Sequence, residues 1–309
     1  MQSDCNILRF WAFVNMANTG EFCYNQPMKR IKITNETINH AIDYILLHIN
    51  EELSLGDVAA YCHFSKYYFS RMFKAQTGES VYAFIKRLKL EQSAFRLKVE
   101  PGRTVTDIGY DFGYSPSNYS WVFRQQYQIN PIEFRRESYL RSVRHPFFHD
   151  KEGGMGTFEE CGGKIQVREI PDFTVLYERR IGNYHDLKGD WDDFVEKHRD
   201  FITDRTRFLE RTFDDPSITD MDACIYDIGM TVDPGCKLEN TCIIRGGLCA
   251  VYPFRGLAKH IYAAYQTIFH VWLPKSGYEL DGRCGFDIYH KVDKGSMYME
   301  LDICLPVRK

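Results

Sequence analysis

Apolar residues recur every three or four positions from Thr34 to about Leu140, and then the rhythm changes. Ile38, Ala41, Ile42, Ile45, Leu46 and Ile49 form one apolar stripe, and a stripe at that spacing predicts a helix. Ser54 precedes Asp57 by three positions, and Thr104 precedes Asp107 by three. A capping hydroxyl followed by an acid at that distance predicts a helix start at each. Residues 81–97 predict one long helix, ended by Pro101-Gly102, and Pro131 opens a last one. His145-Pro146, Gly153-Gly154, Gly156 and Gly162-Gly163 mark a linker over 141–163.

From 164 onward strand and helix patterns mix. Residues 173–179 alternate like a strand. A helix over 187–202 puts Leu187, Trp191, Phe194, Val195, His198 and Phe201 on one face, and a strand over 224–232 closes the first half. The second half repeats the order: strand 248–254, helix 258–272 with Ile261, Tyr262, Tyr265, Ile268, Phe269 and Trp272 on one face, and strand 286–291. Tyr226-Asp227-Ile228 echoes Phe286-Asp287-Ile288, and 297–305 is a last alternating strand. The predicted fold is multi-domain. An all-α domain over 34–140 carries two helix-turn-helix units joined by a long helix. An α+β domain over 164–309 carries a duplicated strand-helix-strand-strand order. Residues 1–33 are an N-terminal extension, with Met1 and Met28 both open as the start of translation.

The helical part contains one segment written twice. Residues 54–74 and 104–124 align at an offset of 50 without a gap. The pairs include Leu55/Val105, Asp57/Asp107, Val58/Ile108, Ala59/Gly109, Phe64/Tyr114, Phe69/Tyr119, Phe73/Phe123 and Lys74/Arg124. In the first copy Leu55, Val58, Ala59 and Cys62 give the first helix an apolar face, and Phe69, Met72 and Phe73 anchor the second. That leaves Lys66, Tyr67, Ser70, Arg71 and Lys74 outward. Arg can bond guanine bidentately, Ser and Tyr can touch bases or phosphates, and Lys holds the backbone. In the second copy Pro116, Ser117, Ser120, Trp121 and Arg124 take those places, with Asn118 and Gln125 beside them. A single basic helix face is equally well explained as a solvated surface; its recurrence at fixed offset points to DNA. Two reading helices about 34 Å apart would enter successive major grooves, and a strut of ~17 residues supplies roughly 25 Å.

Bulk properties narrow the classes further. The chain has 309 residues, 44% of them hydrophobic and 15% aromatic, which excludes gross disorder. No run approaches the roughly 20 apolar residues that a membrane span needs. The short apolar patch at 8–14 lacks a basic start and a cleavage site, so a cytoplasmic location is expected. Ten cysteines (5, 23, 62, 161, 224, 236, 242, 249, 284, 304) include no Cys-x-x-Cys pair, which favours reduced thiols over a disulfide framework or a zinc site. Residues 1–149 carry 18 Lys and Arg against 14 Asp and Glu; residues 150–309 carry 21 against 28. A basic half fused to an acidic half suits a nucleic-acid binder joined to a domain with another task.

Residues 37–137 resemble the two-helix-turn-helix DNA-binding domain of the AraC/XylS family of bacterial transcription regulators. The tracts that carry this are Ser54-Leu55-x-x-Val58-Ala59, Ser65 through Lys74 with Thr77-Gly78, Asp107-Ile108-Gly109-Tyr110-x-Phe112-Gly113-Tyr114, and Pro131-Ile132-Glu133-Phe134-Arg135. The resemblance implies base contacts from Tyr67, Ser70 and Arg71, and from Ser117, Asn118 and Trp121. Many members carry Arg where Trp121 stands. Trp cannot make the bidentate guanine bond, so Trp121 stacks on sugar, touches a thymine methyl, or belongs partly to the core. Residues 164–309 resemble the GyrI-like effector-binding domain. The tracts are Ile181-Gly182-x-Tyr184, Asp214-Asp215-Pro216, Ile244-x-Gly246-Gly247-x-x-Ala250-Val251, Trp272-Leu273-Pro274-x-Ser276-Gly277-Tyr278-Glu279-Leu280 and Asp302-Ile303-x-Leu305-Pro306-Val307. This implies a groove between two halves that takes a small hydrophobic, often cationic, ligand.

The residues of the last strand bear on that ligand by themselves. Met297, Met299, Leu301, Ile303 and Leu305 share one face; Tyr298, Glu300, Asp302 and Cys304 share the other. Two carboxylates on an open face, with Asp287 and Tyr289 expected beside them, would suit an organic cation through charge pairing and ring-face attraction. Tyr177, Tyr226, Phe254 and Trp272 are further candidates, and core packing is the competing reading for the aromatic ones. Glu300 and Asp302 are also the only plausible acid–base pair. No nucleophile elbow, phosphate loop or His-x-x-x-His pair appears, so no catalytic residue, metal or cofactor is assigned. The expected function is a sequence-specific regulator with promoter DNA, a small-molecule effector and, as a further possibility, RNA polymerase as partners. The alternative is a regulator whose C-terminal domain hydrolyses or sequesters a toxic molecule, and a third reading has the groove bind a peptide.

Overall fold

A computed structural model describes residues 30–149, 154–184, 187–236, 238–293 and 295–309. The apolar patch at 8–14 and the start at Met28 lie outside them. The chain forms two units. One is built on Ile31–His145 with Asp214–Asp220, the other on Pro146–Phe213 and Met221–Lys309. Among the described residues no helix is long and apolar enough to cross a membrane.

The helical unit opens with a short strand, β1 (Ile31–Ile33), and α1 (Glu36–Leu47), whose Ile38, Ala41, Ile42 and Ile45 are buried. The first helix pair is α2 (Leu55–Tyr61) and α3 (Lys66–Thr77); the second is α5 (Val105–Asp111) and α6 (Pro116–Tyr127). α4 (Val81–Val99) lies between the pairs and α7 (Pro131–Arg144) follows them. Side chains fix the helix starts. Ser54 and Asp57 form a capping box, and so do Asn130 and Glu133; Ser65 and Thr104 cap α3 and α5. Ser115 makes no side-chain cap, and Pro116 at the first turn takes its place by supplying a pre-set φ and no orphan N–H.

The repeat extends to backbone and rings. His63 and Gly113, at equivalent positions, both adopt left-handed φ (60° and 79°), as do Gly78 and Gln128 (81° and 63°). Phe73 meets Phe84 edge-on at 5.2 Å and 82°, and Phe123 meets Phe134 at 5.2 Å and 81°. The copies diverge at Ala59 and Gly109. A Cβ on Gly109 would lie 2.9 Å from the Tyr119 ring, which is buried and donates its hydroxyl to Ser93 Oγ at 3.0 Å. Copy one has Phe69 opposite Ala59 and no hydroxyl to place. Gly109→Val is expected to destabilise the helical unit by about 1–3 kcal/mol through overpacking, read as a lower urea midpoint.

Segment Asp214–Asp220 lies between two strands in sequence but belongs to the helical unit. Its Asp215 accepts a 2.5 Å bond from Lys98 Nζ of α4, with the two side chains 3% and 1% exposed. Ser142 of α7 and Ser217 complete the ammonium's shell at 3.0 and 3.3 Å.

The sheet unit runs through α8 (Phe158–Gly162), β2 (Gln166–Ile170), β3 (Phe173–Ile181), α9 (Leu187–Lys197), β4 (Phe208–Thr212), β5 (Ile225–Thr231), β6 (Thr241–Ile244), β7 (Gly247–Leu257), α10 (Ile261–Thr267), β8 (Glu279–Leu280), β9 (Phe286–Asp293) and β10 (Tyr298–Arg308). Strand, helix, strand, strand occurs first as β3-α9-β4-β5 and again as β7-α10-β9-β10. The strands order β3-β5-β4-β9-β10-β7-β2, all antiparallel, with β6 on β3 and β8 on β10. β4 and β9 are therefore the seam between the halves. Side chains alternate between faces. One face lies under the helices: Trp191 of α9 meets Tyr289 and Phe208 at 5.9 and 6.2 Å. The other curls on its own cluster, in which Ile170 and Phe173 from opposite ends of the strand order meet Val175, Leu209, Phe286 and Ile288.

Several elements differ from the sequence expectation: β4 is not among the expected strands, and the helix expected over 187–202 ends at Lys197. α7 runs to Arg144, into the segment assigned to a linker, and stops where Pro146 disfavours a helical residue before it. The linker also holds α8, started by a Thr157–Glu160 capping box that the surrounding glycines mask in the sequence. Residues 258–275 are not one α-helix. 3-10 turns at Ala258–His260 and Leu273–Lys275 flank α10 and a π segment at Ile268–Trp272. Pro274 has no N–H and its ring crowds the carbonyl four residues back, which widens the turn there.

Candidate functional site

Two surfaces carry chemistry, one in each unit. In α3, burial of Phe69 and Phe73 turns the opposite side outward, so Lys66, Tyr67, Arg71 and Lys74 are exposed and Ser70 is half-buried. The Arg71 guanidinium lies over the Tyr67 ring at 5.8 Å, which holds it extended on the surface. In α6, Tyr119, Val122 and Phe123 take the core. Ser117, Asn118, Ser120, Trp121 and Arg124 are all exposed. Trp121 is 61% exposed, which corrects the reading of it as part of the core: its neighbours Val122 and Phe123 already fill that side. α3 therefore presents three cations and α6 one. α4, at 19 residues, is roughly 28 Å long.

In the sheet unit the seam brings two acids face to face. β4 and β9 pair Glu210 with Asp287 and Phe208 with Tyr289, all on the helix side. Glu210 is 5% exposed and Asp287 3%. Tyr289 Oη donates to Glu210 Oε2 at 2.8 Å, and Tyr265 Oη of α10 donates to Asp287 Oδ1 at 2.6 Å. No Lys, Arg or His forms an ion pair with either among the described residues. Burial pushes the Glu210 carboxyl up to about 7, against the lowering bonds from Tyr289 and Trp191. Burial likewise pushes Asp287 well above the usual carboxylate range. Like charges directly opposite on neighbouring strands repel, which adds to burial in favouring the protonated forms of the pair.

The structure divides the remaining sequence candidates. Asp287 and Tyr289 lie on the face of Leu301 and Ile303, opposite to Glu300 and Asp302. The registers Leu301↔Tyr289 and Ile303↔Asp287 fix this, with a bulge after Glu300. The expectation that these four share one open face is thus corrected. Asp302 pairs with Arg168 at 3.4 Å and lies 3.2 Å from His290, and Glu300 lies 3.8 Å from Arg255, so each acid already has a guanidinium beside it. Tyr177 faces the same far side, between the guanidinium groups of Arg179 and Arg211 at 5.3 and 5.1 Å. Tyr226 is on the helix face and donates to Asp190 at 3.0 Å, but Arg180 bridges Asp190 and Glu178 there and compensates the charge. Phe254 is buried opposite Leu301. Trp272 stacks on Tyr278 at 6.3 Å and 15° beside Gly162. Both are core residues in position. Glu210 was absent from the sequence candidates. Its one signal is an acid alternating with Phe208 in a five-residue segment flanked by turns.

Known proteins match both parts of the chain. A family model described as the GyrI-like small molecule binding domain matches residues 163–308, and a helix-turn-helix domain model matches 58–137. The right origin-binding protein of Escherichia coli (strain K12) is 33% identical over 283 residues, covering 85% of this chain and 94% of that protein. The transcriptional regulator Rob of Salmonella typhimurium is 24% identical over 244 residues, covering 74% of this chain and 81% of its own. A cryo-electron microscopy structure of an EcmrR–DNA complex is 15% identical with a TM-score of 0.41, covering 82% of this chain and 99% of that one. The chain belongs to the AraC/XylS family of transcription regulators, with a GyrI-like C-terminal domain. It is a DNA-binding transcription regulator with a small-molecule binding domain.

Proposed function

We propose that α3 and α6 enter successive major grooves on one side of promoter DNA, and that the sheet domain senses a lipophilic cation at Glu210 and Asp287. Arg71 and Tyr67, with Ser70, read bases from α3, while Lys66 and Lys74 hold phosphates. Ser117, Asn118, Ser120 and Trp121 with Arg124 mainly position α6, because Trp121 cannot bond guanine bidentately. The working boundaries are 34–140 for the DNA-binding domain, 141–163 for the linker and 164–309 for the effector domain. The setting is the bacterial cytoplasm, with RNA polymerase as the partner that the occupied promoter serves.

One observation supports the ligand class above the others: two buried carboxylates sit opposite each other, and among the described residues no Lys, Arg or His forms an ion pair with either. A bound cation relieves both their desolvation and their repulsion, and Trp191, Tyr265, Tyr289 and Phe208 offer it ring faces. Trp191 and Tyr265 hydrogen-bond Glu210 and Asp287, so ligand entry requires both to move aside. Tyr265 sits on the short α10 next to the π segment, an irregular stretch suited to such a movement. Hydrolysis by Glu300 and Asp302 is not favoured, since Arg255, Arg168 and His290 surround that pair. Arg71→Ala is expected to weaken specific DNA binding by about 1–3 kcal/mol and relax one base position. Anisotropy on a site selected from random DNA checks this, and unchanged binding would displace α3 as the reader. For the effector, calorimetry of the full chain with tetraphenylphosphonium should give saturable binding; a flat titration would contradict the cation.

A further inference from the structure

The far face of the sheet holds a cleft of ≈ 310 Å³, on the opposite side from Glu210 and Asp287. Its floor is apolar: Phe173 and Ile288 are 8% and 4% exposed. Its rim is positive. Arg168 and His290 both reach Asp302, at 3.4 and 3.2 Å, so one carboxylate serves two partners. Arg207 has none: it forms no ion pair among the described residues, and its guanidinium lies 5.6 Å from the centroid of Phe173. Its backbone is anchored at the edge of β4. The Arg207 N–H donates to Thr231 Oγ1 at 2.9 Å, and its carbonyl accepts the Thr231 N–H at 2.8 Å. The exposed side chain leaves this anchored backbone, and Phe173 gives its guanidinium a ring face to lie on. Two guanidinium groups against one carboxylate leave a net positive rim above an apolar floor.

From this juxtaposition we infer that the far-face cleft is a second ligand site, which takes a compact amphipathic monoanion such as an aromatic carboxylate. The apolar body lies on Phe173 and Ile288. The carboxylate takes the bidentate guanidinium fork of Arg207, a geometry that Lys cannot reproduce. The volume lies at the small end of ligand pockets, which suits a bicyclic body. The charge of the rim repels the cation proposed for the other face, so the two sites discriminate by sign. The protein then reads two chemically opposite molecules on two faces of one sheet.

The test titrates the full chain with 2-naphthoate, by its own fluorescence and by calorimetry. Saturable one-site binding is expected, at least tenfold tighter than that of the neutral isostere 2-naphthamide. Arg207→Gln should weaken naphthoate at least tenfold and Arg207→Lys by an intermediate factor, while tetraphenylphosphonium titrates as with the unaltered chain. Tetraphenylphosphonium should not displace naphthoate. Absence of saturable naphthoate binding, naphthoate affinity unchanged by Arg207→Gln, or competitive displacement by the cation would each overturn the second site.

Discussion

Glu210→Gln is expected to cost a lipophilic cation about 2–5 kcal/mol of affinity, at least an order of magnitude in Kd, because it removes one partner of a fully desolvated charge pair. The effect is pH-dependent in a defined direction. With the carboxyl pushed up to about 7, the acid is largely protonated at pH 6 and binding must release a proton. Affinity therefore rises from pH 6 to pH 8 in the unaltered chain and stays flat and weak in Glu210→Gln. Stability moves the other way. The folded value lies above the unfolded value of about 4.3. The contribution is full below the unfolded value and is lost as pH rises through about 7. Glu210→Gln should thus unfold at higher urea than the parent at pH 8 and show little difference at pH 4. Calorimetry in two buffers of different ionisation heat counts the released proton directly.

Lys98→Ala is the substitution with the largest expected effect on stability. It leaves Asp215 buried without its ammonium, and breaking a buried pair from one side costs about 3–5 kcal/mol. Burial alone would push the Asp215 carboxyl up, but the Lys98 ammonium and the Ser217 bonds outweigh it and hold the carboxyl low. That stabilisation is present above the unfolded value of about 3.9 and is lost as pH falls below it. Urea unfolding at pH 7 should show the loss, and the deficit should shrink toward pH 3. A Lys98→Met, Asp215→Leu double variant should recover part of it, because removing both charges leaves no unpaired buried charge, although the Ser217 N–H and hydroxyl lose their acceptor.

The helical unit was legible in the sequence because its determinants are local and written twice. Ser54, Thr104 and Pro131 declare helix starts, and the 50-residue offset carries through to the Phe73–Phe84 and Phe123–Phe134 ring pairs. The sheet was less legible because its site breaks the alternation that reveals strands. β4 buries a glutamate where an apolar residue belongs, so Phe208–Thr212 does not read as a strand and Glu210 does not read as a site. The two faces of the last strand followed from alternation alone. The face on which Asp287 and Tyr289 fall did not, because it depends on a bulge and a register between β9 and β10 that no local pattern encodes. Trp121 was ambiguous for the reverse reason: an exposed tryptophan contradicts ordinary burial, and only the filled core beside it settles the matter.

Coupling of ligand to transcription is the central claim. It is tested most directly by single-round transcription from a promoter fragment that the full chain itself selects, with and without tetraphenylphosphonium, in parallel for the unaltered chain and Glu210→Gln. The account predicts that the cation changes transcript yield with the unaltered chain and leaves the variant's yield where it was. An equal response in both chains, or none in either, would contradict it.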